Sequence, residues 1–218
     1  MSQPFDLCPD HPEPTKAKTT APASLKKKRK VGESSTNTAS VQHLRPGLVL
    51  LKGFVKPEDQ VEIVRTCRQL GIGPGGFYRP NFKNGAKMKL WMMCLGKNWD
   101  PTTGFYGPTR PCDGAQVPAI PELGLHQDKD ESGRSINQGL PIISISLGDT
   151  AEFLFGDTRD KDRATKINLE SGDVLILGGR SRLLFHGISH VKPNTAPTWL
   201  KEETGLRPGR INLTFRQY

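Results

Sequence analysis

Short apolar runs broken by turn residues fill the second half of the chain. Pro141-Ile142-Ile143-Ser144-Ile145-Ser146-Leu147-Gly148 predicts a strand, and further strands are predicted over 151–155, 164–169, 173–177, 181–190 and 210–217. Gly156-Asp157 and Ser171-Gly172-Asp173 supply turns between them. Strands this short and this closely spaced predict a sandwich, jelly roll or barrel. The pattern before residue 100 is different. Residues 47–51 form an apolar run ahead of Lys52-Gly53-Phe54, a predicted strand and turn. Pro57 opens a predicted helix with Glu58 and Asp59 in its first turn, where acidic groups suit the helix dipole. Val61, Val64 and Arg68 recur at helical spacing, and Gly71 is predicted to end the helix. Residues 71–85, rich in Gly, Pro and aromatics, predict a loop, and no internal repeat is found.

Residues 1–45 carry few large apolar side chains and much Pro, Ser, Thr, Ala and Lys. Such a segment cannot bury enough surface to offset its ordering entropy, so it is predicted to be a disordered tail preceding one domain over 46–218. Within it, Lys26-Lys27-Lys28-Arg29-Lys30-Val31 matches a nuclear import signal, which implies an import receptor as partner; the alternatives are a solvated charge run or a loose nucleic-acid-binding arm, and the context favours the import signal. The net charge of +9 is shared, the tail holding eight Lys/Arg against four Asp/Glu. A basic domain suits a nucleic-acid partner without requiring one. No apolar run approaches the roughly eighteen residues of a membrane span, and no apolar signal-peptide core opens the chain. Cys8, Cys67, Cys94 and Cys112 form no CxxC pair, so reduced thiols in a nuclear or cytosolic compartment are expected. Oligomeric state leaves no mark in the sequence.

Candidate chemistry gathers at three places. In His126-Gln127-Asp128 an imidazole and a carboxylate stand two apart, on one face if the segment is a strand. One more histidine would complete a two-His-one-carboxylate face, which leaves open positions on an iron(II) ion. Alone, the pair is weak evidence for a metal and reads more often as a surface or hydrogen-bonded pair. His186 closes the apolar stretch Ser181-Arg182-Leu183-Leu184-Phe185-His186 and reads alone as a core histidine, with His190 a rival beyond Gly187. The C-terminal stretch alternates: Arg210, Asn212, Thr214 and Arg216 share one face, Ile211, Leu213 and Phe215 the other. The polar face either meets water or points inward, where an arginine can clamp a carboxylate.

Taken in order, His126-Gln127-Asp128-Lys129-Asp130-Glu131, Ser144-Ile145-Ser146-Leu147-Gly148-Asp149, Ser181-Arg182-Leu183-Leu184-Phe185-His186-Gly187 and Arg210-x-Asn212-x-Thr214-Phe215-Arg216 resemble the AlkB family of oxidative nucleic-acid demethylases. The resemblance implies a mainly β fold with flanking helices, a double-stranded β-helix or jelly roll. It divides the domain into an N-terminal extension and nucleotide-recognition lid (46–122) and a jelly-roll core (123–218). It implies iron(II) held by His126, Asp128 and His186, and 2-oxoglutarate bound by Arg210, with Asn212 orienting and Arg216 near the chelating end and the substrate. Dioxygen is the further cosubstrate. The implied reaction removes a methyl group from a base in DNA or RNA, releasing formaldehyde, succinate and carbon dioxide. Asp130 would meet the base's exocyclic amine, Trp99 would stack on the extruded base, and Met92 and Met93 would line the lid.

The sequence departs from the family in one respect. Ala119-Ile120-Pro121-Glu122-Leu123-Gly124-Leu125-His126 leads almost directly from the lid into the metal motif, without the strand bearing an Asn-x-Tyr pair that the family places there. That implies an internal deletion. It motivates a second reading, a catalytically impaired variant that binds nucleic acid or a protein partner.

Overall fold

The computed structural model describes residues 39–81, 85–100, 103, 106–119 and 140–216. Two antiparallel sheets face each other. The larger runs β1 (Ser40–Arg45), β2 (Leu48–Lys52), β8 (Val174–Leu177), β5 (Ile142–Gly148), β10 (Arg210–Phe215) in spatial order. The smaller runs β7 (Thr165–Leu169), β6 (Ala151–Gly156), β9 (Phe185–Val191). A two-stranded ribbon, β3 (Asn98–Trp99) with β4 (Tyr106–Gly107), lies in the segment between the first helix and the sheets. The sheet pair is a jelly roll flanked by two helices, as expected.

Helix α1 (Pro57–Ile72) and the short α2 (Thr198–Thr204) pack on the outer face of the larger sheet. Val64 and Cys67 of α1 and Leu200 of α2 bury against Ile145, Leu147, Val174 and Ile211. This explains the alternation of β10: its odd positions serve the helix-covered face. A second cluster fills the space between the sheets, with Leu48, Leu50, Leu175 and Leu177 from the larger and Phe153, Phe155 and Leu169 from the smaller. Neither sheet could remain ordered alone, because each presents a row of leucines or phenylalanines that only the other covers.

Three expectations need correction. Ser40–Arg45, assigned to the tail, is strand β1, paired with β2 from Ser40↔Lys52 to Arg45↔Leu48. Its first four residues are exposed, so backbone pairing rather than burial holds it, and no apolar run betrays it. Gly71 does not end α1: it is buried in the last turn, and a Cβ there would sit 2.2 Å from the Phe77 ring. The glycine serves close packing. Residues 181–190 are not one strand, because a 3-10 turn over Gly179–Leu183 precedes β9.

The predicted turn Ser171-Gly172-Asp173 docks on the start of α1. Val55 N–H donates to Gly172 O at 2.9 Å, Ser171 Oγ to Gln60 Oε1 at 2.7 Å and Gln60 Nε2 to Val55 O at 2.8 Å. Buried Asp173 accepts from Gly53 N (2.9 Å), Glu170 N (2.7 Å) and Lys52 Nζ (2.5 Å). Gly172 has φ +89°, and a Cβ would lie 2.4 Å from Gln60 Nε2. Gly172→Ala should therefore cost about 1–3 kcal/mol, from left-handed strain and displacement of Gln60. A urea midpoint unchanged by the substitution would refute this account of the turn.

Candidate active site between the sheets

Residues directly opposed in an antiparallel pair share a face, so the register alone locates the site. Leu50 opposes Leu175, Leu175 opposes Ser144, and Ser144 opposes Thr214. Asn212 opposes Ser146, and Arg210 opposes Gly148. Leu50 and Leu175 belong to the inter-sheet cluster. The polar face of β10 therefore points inward, between the sheets. Across the larger sheet the inner face changes from leucine on β2 and β8 to serine on β5 and to Arg210, Asn212 and Thr214 on β10.

These inward residues form one network. Arg210 Nη2 donates to Ser146 Oγ at 2.9 Å and to Asn212 Oδ1 at 2.6 Å. Ser144 Oγ donates to Asn212 Oδ1 at 2.7 Å, and Asn212 Nδ2 to Thr214 Oγ1 at 2.8 Å. The amide orientation follows from the donors: a guanidinium cannot accept, so Oδ1 must face it. Ser146 is buried, whereas Asn212, Thr214 and Arg216, the next position of the alternation, are exposed. The network thus lines an opening with Arg210 at its deeper end.

Arg210 is the anomalous member. Burial pushes its guanidinium down to about 10, no carboxylate among the described residues pairs with it, and its buried Nε has no hydrogen-bond partner. A desolvated cation with an orphaned donor is costly unless an anion completes it. The residues therefore fit a carboxylate ligand.

His186 faces the same space from the smaller sheet. It opposes Phe155, and its ring centroid lies 5.8 Å from that of Phe153, both members of the inter-sheet cluster. Its Nδ1 lies 2.9 Å from Leu184 O. A carbonyl only accepts, so Nδ1 is the donor, and in the neutral ring that leaves the lone pair on Nε2. Metal-binding imidazoles are commonly held in this way. His186 is exposed, which leaves Nε2 reachable. His190, the rival, lies on the same strand and not beyond a turn. The register shifts between His190↔Glu152 and Ile188↔Phe153, which reverses the alternation. His190 consequently pairs on the outer face, its Nδ1 3.7 Å from Glu152 Oε1.

His126, Asp128 and Asp130 lie outside the described residues, as does Lys26–Lys30. Trp99 closes β3. Met92 and Met93 are half-buried, and Met92 exchanges both backbone hydrogen bonds with Tyr78 at 2.8 and 2.9 Å. This segment is knitted by Arg110, which charge and spacing did not single out. Arg110 grips Asp113 through Nε (2.8 Å) and Nη2 (2.6 Å), donates from Nη1 to Gly76 O (2.7 Å), and stacks 4.5 Å from the Tyr78 ring centre. Its hydrogen bonds hold the Asp113 carboxyl below its ordinary value. Tyr78 in turn donates to buried Asn98 at 3.1 Å.

Asp149 was also missed as an individual. Fully buried after β5, it accepts from the backbone N–H of Asn194 (3.3 Å), Ala196 (2.8 Å) and Gly209 (2.7 Å), and its own N–H donates to Gly209 O at 2.7 Å. It fixes the residue immediately before Arg210. Only a carboxylate has acceptor capacity for three such donors at this point.

Comparison with known proteins shows the family. The model of the 2OG-Fe(II) oxygenase superfamily matches residues 121–216, the stretch that holds His126, Asp128, His186 and Arg210. A structure described as that of OsALKBH1 superposes with a TM-score of 0.75 at 51% identity, over 82% of this chain and 100% of that one. An Arabidopsis thaliana protein named DNA N(6)-methyladenine demethylase ALKBH1C is 46% identical over 88% of this chain and 52% of its own length. A Schizosaccharomyces pombe protein named tRNA demethylase abh1 is 32% identical, over 79% of each chain. The chain belongs to the AlkB family of iron(II)- and 2-oxoglutarate-dependent dioxygenases. It spans about half the length of the Arabidopsis relative. The matched stretch there, 241 residues, exceeds this chain's 218, so the relative carries residues with no counterpart here.

Proposed function

We propose that this chain is an oxidative demethylase of N-methylated nucleobases in DNA or RNA. The observation that carries the reading is Arg210: a half-buried guanidinium with an unpartnered Nε and no carboxylate partner among the described residues, on the inner face toward which His186 points from the other sheet. Iron(II), 2-oxoglutarate and dioxygen, bound together, supply the power to hydroxylate an N-methyl group, which then leaves as formaldehyde. Arg210 would bind the distal carboxylate of the cosubstrate through the charged N–H groups that Ser146 and Asn212 leave open. His186 would offer Nε2 to the metal with its ring held by Leu184 O, and His126 and Asp128 would complete the set. Asn212 orients Arg210, and Arg216 lies toward the substrate side. Asp130, Trp99, Met92 and Met93 form the base pocket in this reading, with Trp99 supplying the stacking that any extruded base accepts. The relatives' names divide between DNA and transfer RNA, so either polymer is a candidate partner.

The two histidines separate metal binding from mere proximity. His186→Ala should weaken manganese(II) binding, measured anaerobically by calorimetry, by roughly 100-fold or more, whereas His190→Ala stays within about threefold. The reverse ranking would reassign the ligand. Mass spectrometry of a panel of methylated DNA and RNA oligonucleotides, with His126→Ala as control, tests the reaction itself. Loss of a methyl mass with the native chain alone is expected. A folded, metal-loaded sample with no turnover would favour the binding-protein reading, with the residues that the relatives carry and this chain lacks as the cause.

Lys26–Lys30 would direct the chain to the nucleus through an import receptor. Replacing Lys27 and Lys28 by Ala in a fluorescent fusion should abolish nuclear accumulation, and retained accumulation would remove that role.

A further inference from the structure

The network around Arg210 contains two serines, Ser144 and Ser146, to which the reading above gives no part. Two residues apart on β5, they point to the same inner face and meet different ends of the network. Ser146 is buried and touches Arg210 itself: its Oγ accepts from Nη2 at 2.9 Å. Ser144 reaches the network through Asn212, donating to Oδ1 at 2.7 Å. Nη2 carries two hydrogens, and Ser146 Oγ and Asn212 Oδ1 take one each. The guanidinium is thereby fixed by two bonds at one nitrogen, from opposite strands, and its remaining donors are Nη1 and the orphaned Nε.

We infer that Ser146 is a positioning residue that sets where Arg210 holds its guanidinium along the inter-sheet opening, and so selects the chain length of the dicarboxylate that reaches from there to His186. The inference rests on Arg210 being the cosubstrate's carboxylate partner. Its physical basis is that an arginine side chain has several rotatable bonds and reaches many positions, whereas a buried hydroxyl on a paired strand has one. The partner Asn212 cannot do this alone. It is exposed and depends on Ser144 and Thr214 for its own orientation. A fixed guanidinium sets a single reach, so it favours one length of acid, the five-carbon 2-oxo diacid in this reading, over a six-carbon one. Without Ser146, Arg210 can retreat, the fit to the shorter acid loosens and the longer is better tolerated.

The test is calorimetric binding of 2-oxoglutarate and of 2-oxoadipate to the full chain with manganese(II), without turnover, for native protein and for Ser146→Ala, Ser144→Ala and Arg210→Ala. Ser146→Ala should weaken 2-oxoglutarate roughly tenfold or more and reduce the preference for it over 2-oxoadipate by a similar factor. Ser144→Ala should shift both acids by less than about threefold and leave the preference intact. A general loosening of the fold would lower both affinities together, so an unchanged preference in Ser146→Ala overturns the inference. If Arg210→Ala binds 2-oxoglutarate as tightly as the native chain, the underlying reading of Arg210 fails instead. If Ser146→Ala does not fold, Ser146→Thr, which restores the hydroxyl, must keep the native preference for the inference to stand.

Discussion

Arg210→Met abolishes 2-oxoglutarate binding and leaves the fold at least as stable as the native protein. The two halves of this expectation have one cause. In the native chain a guanidinium is desolvated beside a serine and an asparagine, has no carboxylate partner among the described residues, and carries a buried N–H with nothing to donate to. An apolar side chain of similar length removes the desolvation cost, and such replacements are commonly neutral or stabilising by about 1–4 kcal/mol. The ligand's carboxylate loses two charge-assisted hydrogen bonds, each worth about 1.5–3 kcal/mol, so affinity should fall by 100-fold or more. Thermal denaturation and calorimetry on one sample read both. A variant that melts well below the native protein and still binds the cosubstrate would show that Arg210 is a structural residue after all.

The second large effect concerns stability alone. Asp149→Ala leaves the backbone N–H groups of Asn194, Ala196 and Gly209 without their acceptor inside the protein. Each unmet buried donor costs about 1–3 kcal/mol, so a loss of roughly 3–5 kcal/mol is expected once partial relaxation is allowed for. Asp149→Asn should be nearly as harmful. The amide keeps the shape but offers one acceptor oxygen to a site that uses two, and turns an N–H group toward other N–H donors. Urea denaturation gives the difference directly, and a loss below about 1 kcal/mol for the alanine variant would mean that these loops are held by something else.

Legibility in the sequence followed the physical scale of each feature. β5, β6 and β8 were read within a residue or two because they are short apolar runs bounded by turn residues, and β10 because its side chains alternate. The inward direction of the β10 polar face was not readable from β10 itself, since a polar row looks the same facing water or facing a cavity. It is decided by Leu50, Leu175 and Ser144, residues up to 164 positions away in sequence. β1 escaped because its side chains are exposed and its stability is backbone pairing to β2. His190 could not be separated from His186 without the register shift opposite Glu152 and Phe153. Gly71 carried a helix-end signal that the Phe77 ring overrides. Ser146 and Asp149 belong to the stretch that marked the family, but their roles depend on partners 64 and 60 positions away.

In the proposed function, the opening between the sheets joins cosubstrate oxidation to demethylation of a base. The most direct test measures succinate and formaldehyde in parallel, with iron(II), 2-oxoglutarate, oxygen and a methylated oligonucleotide. Both products should appear in equal amounts, require the methylated base, and vanish in His186→Ala and Arg210→Met. Succinate and formaldehyde formed undiminished by those two variants, or neither formed by a folded native chain that binds metal and 2-oxoglutarate, would contradict it.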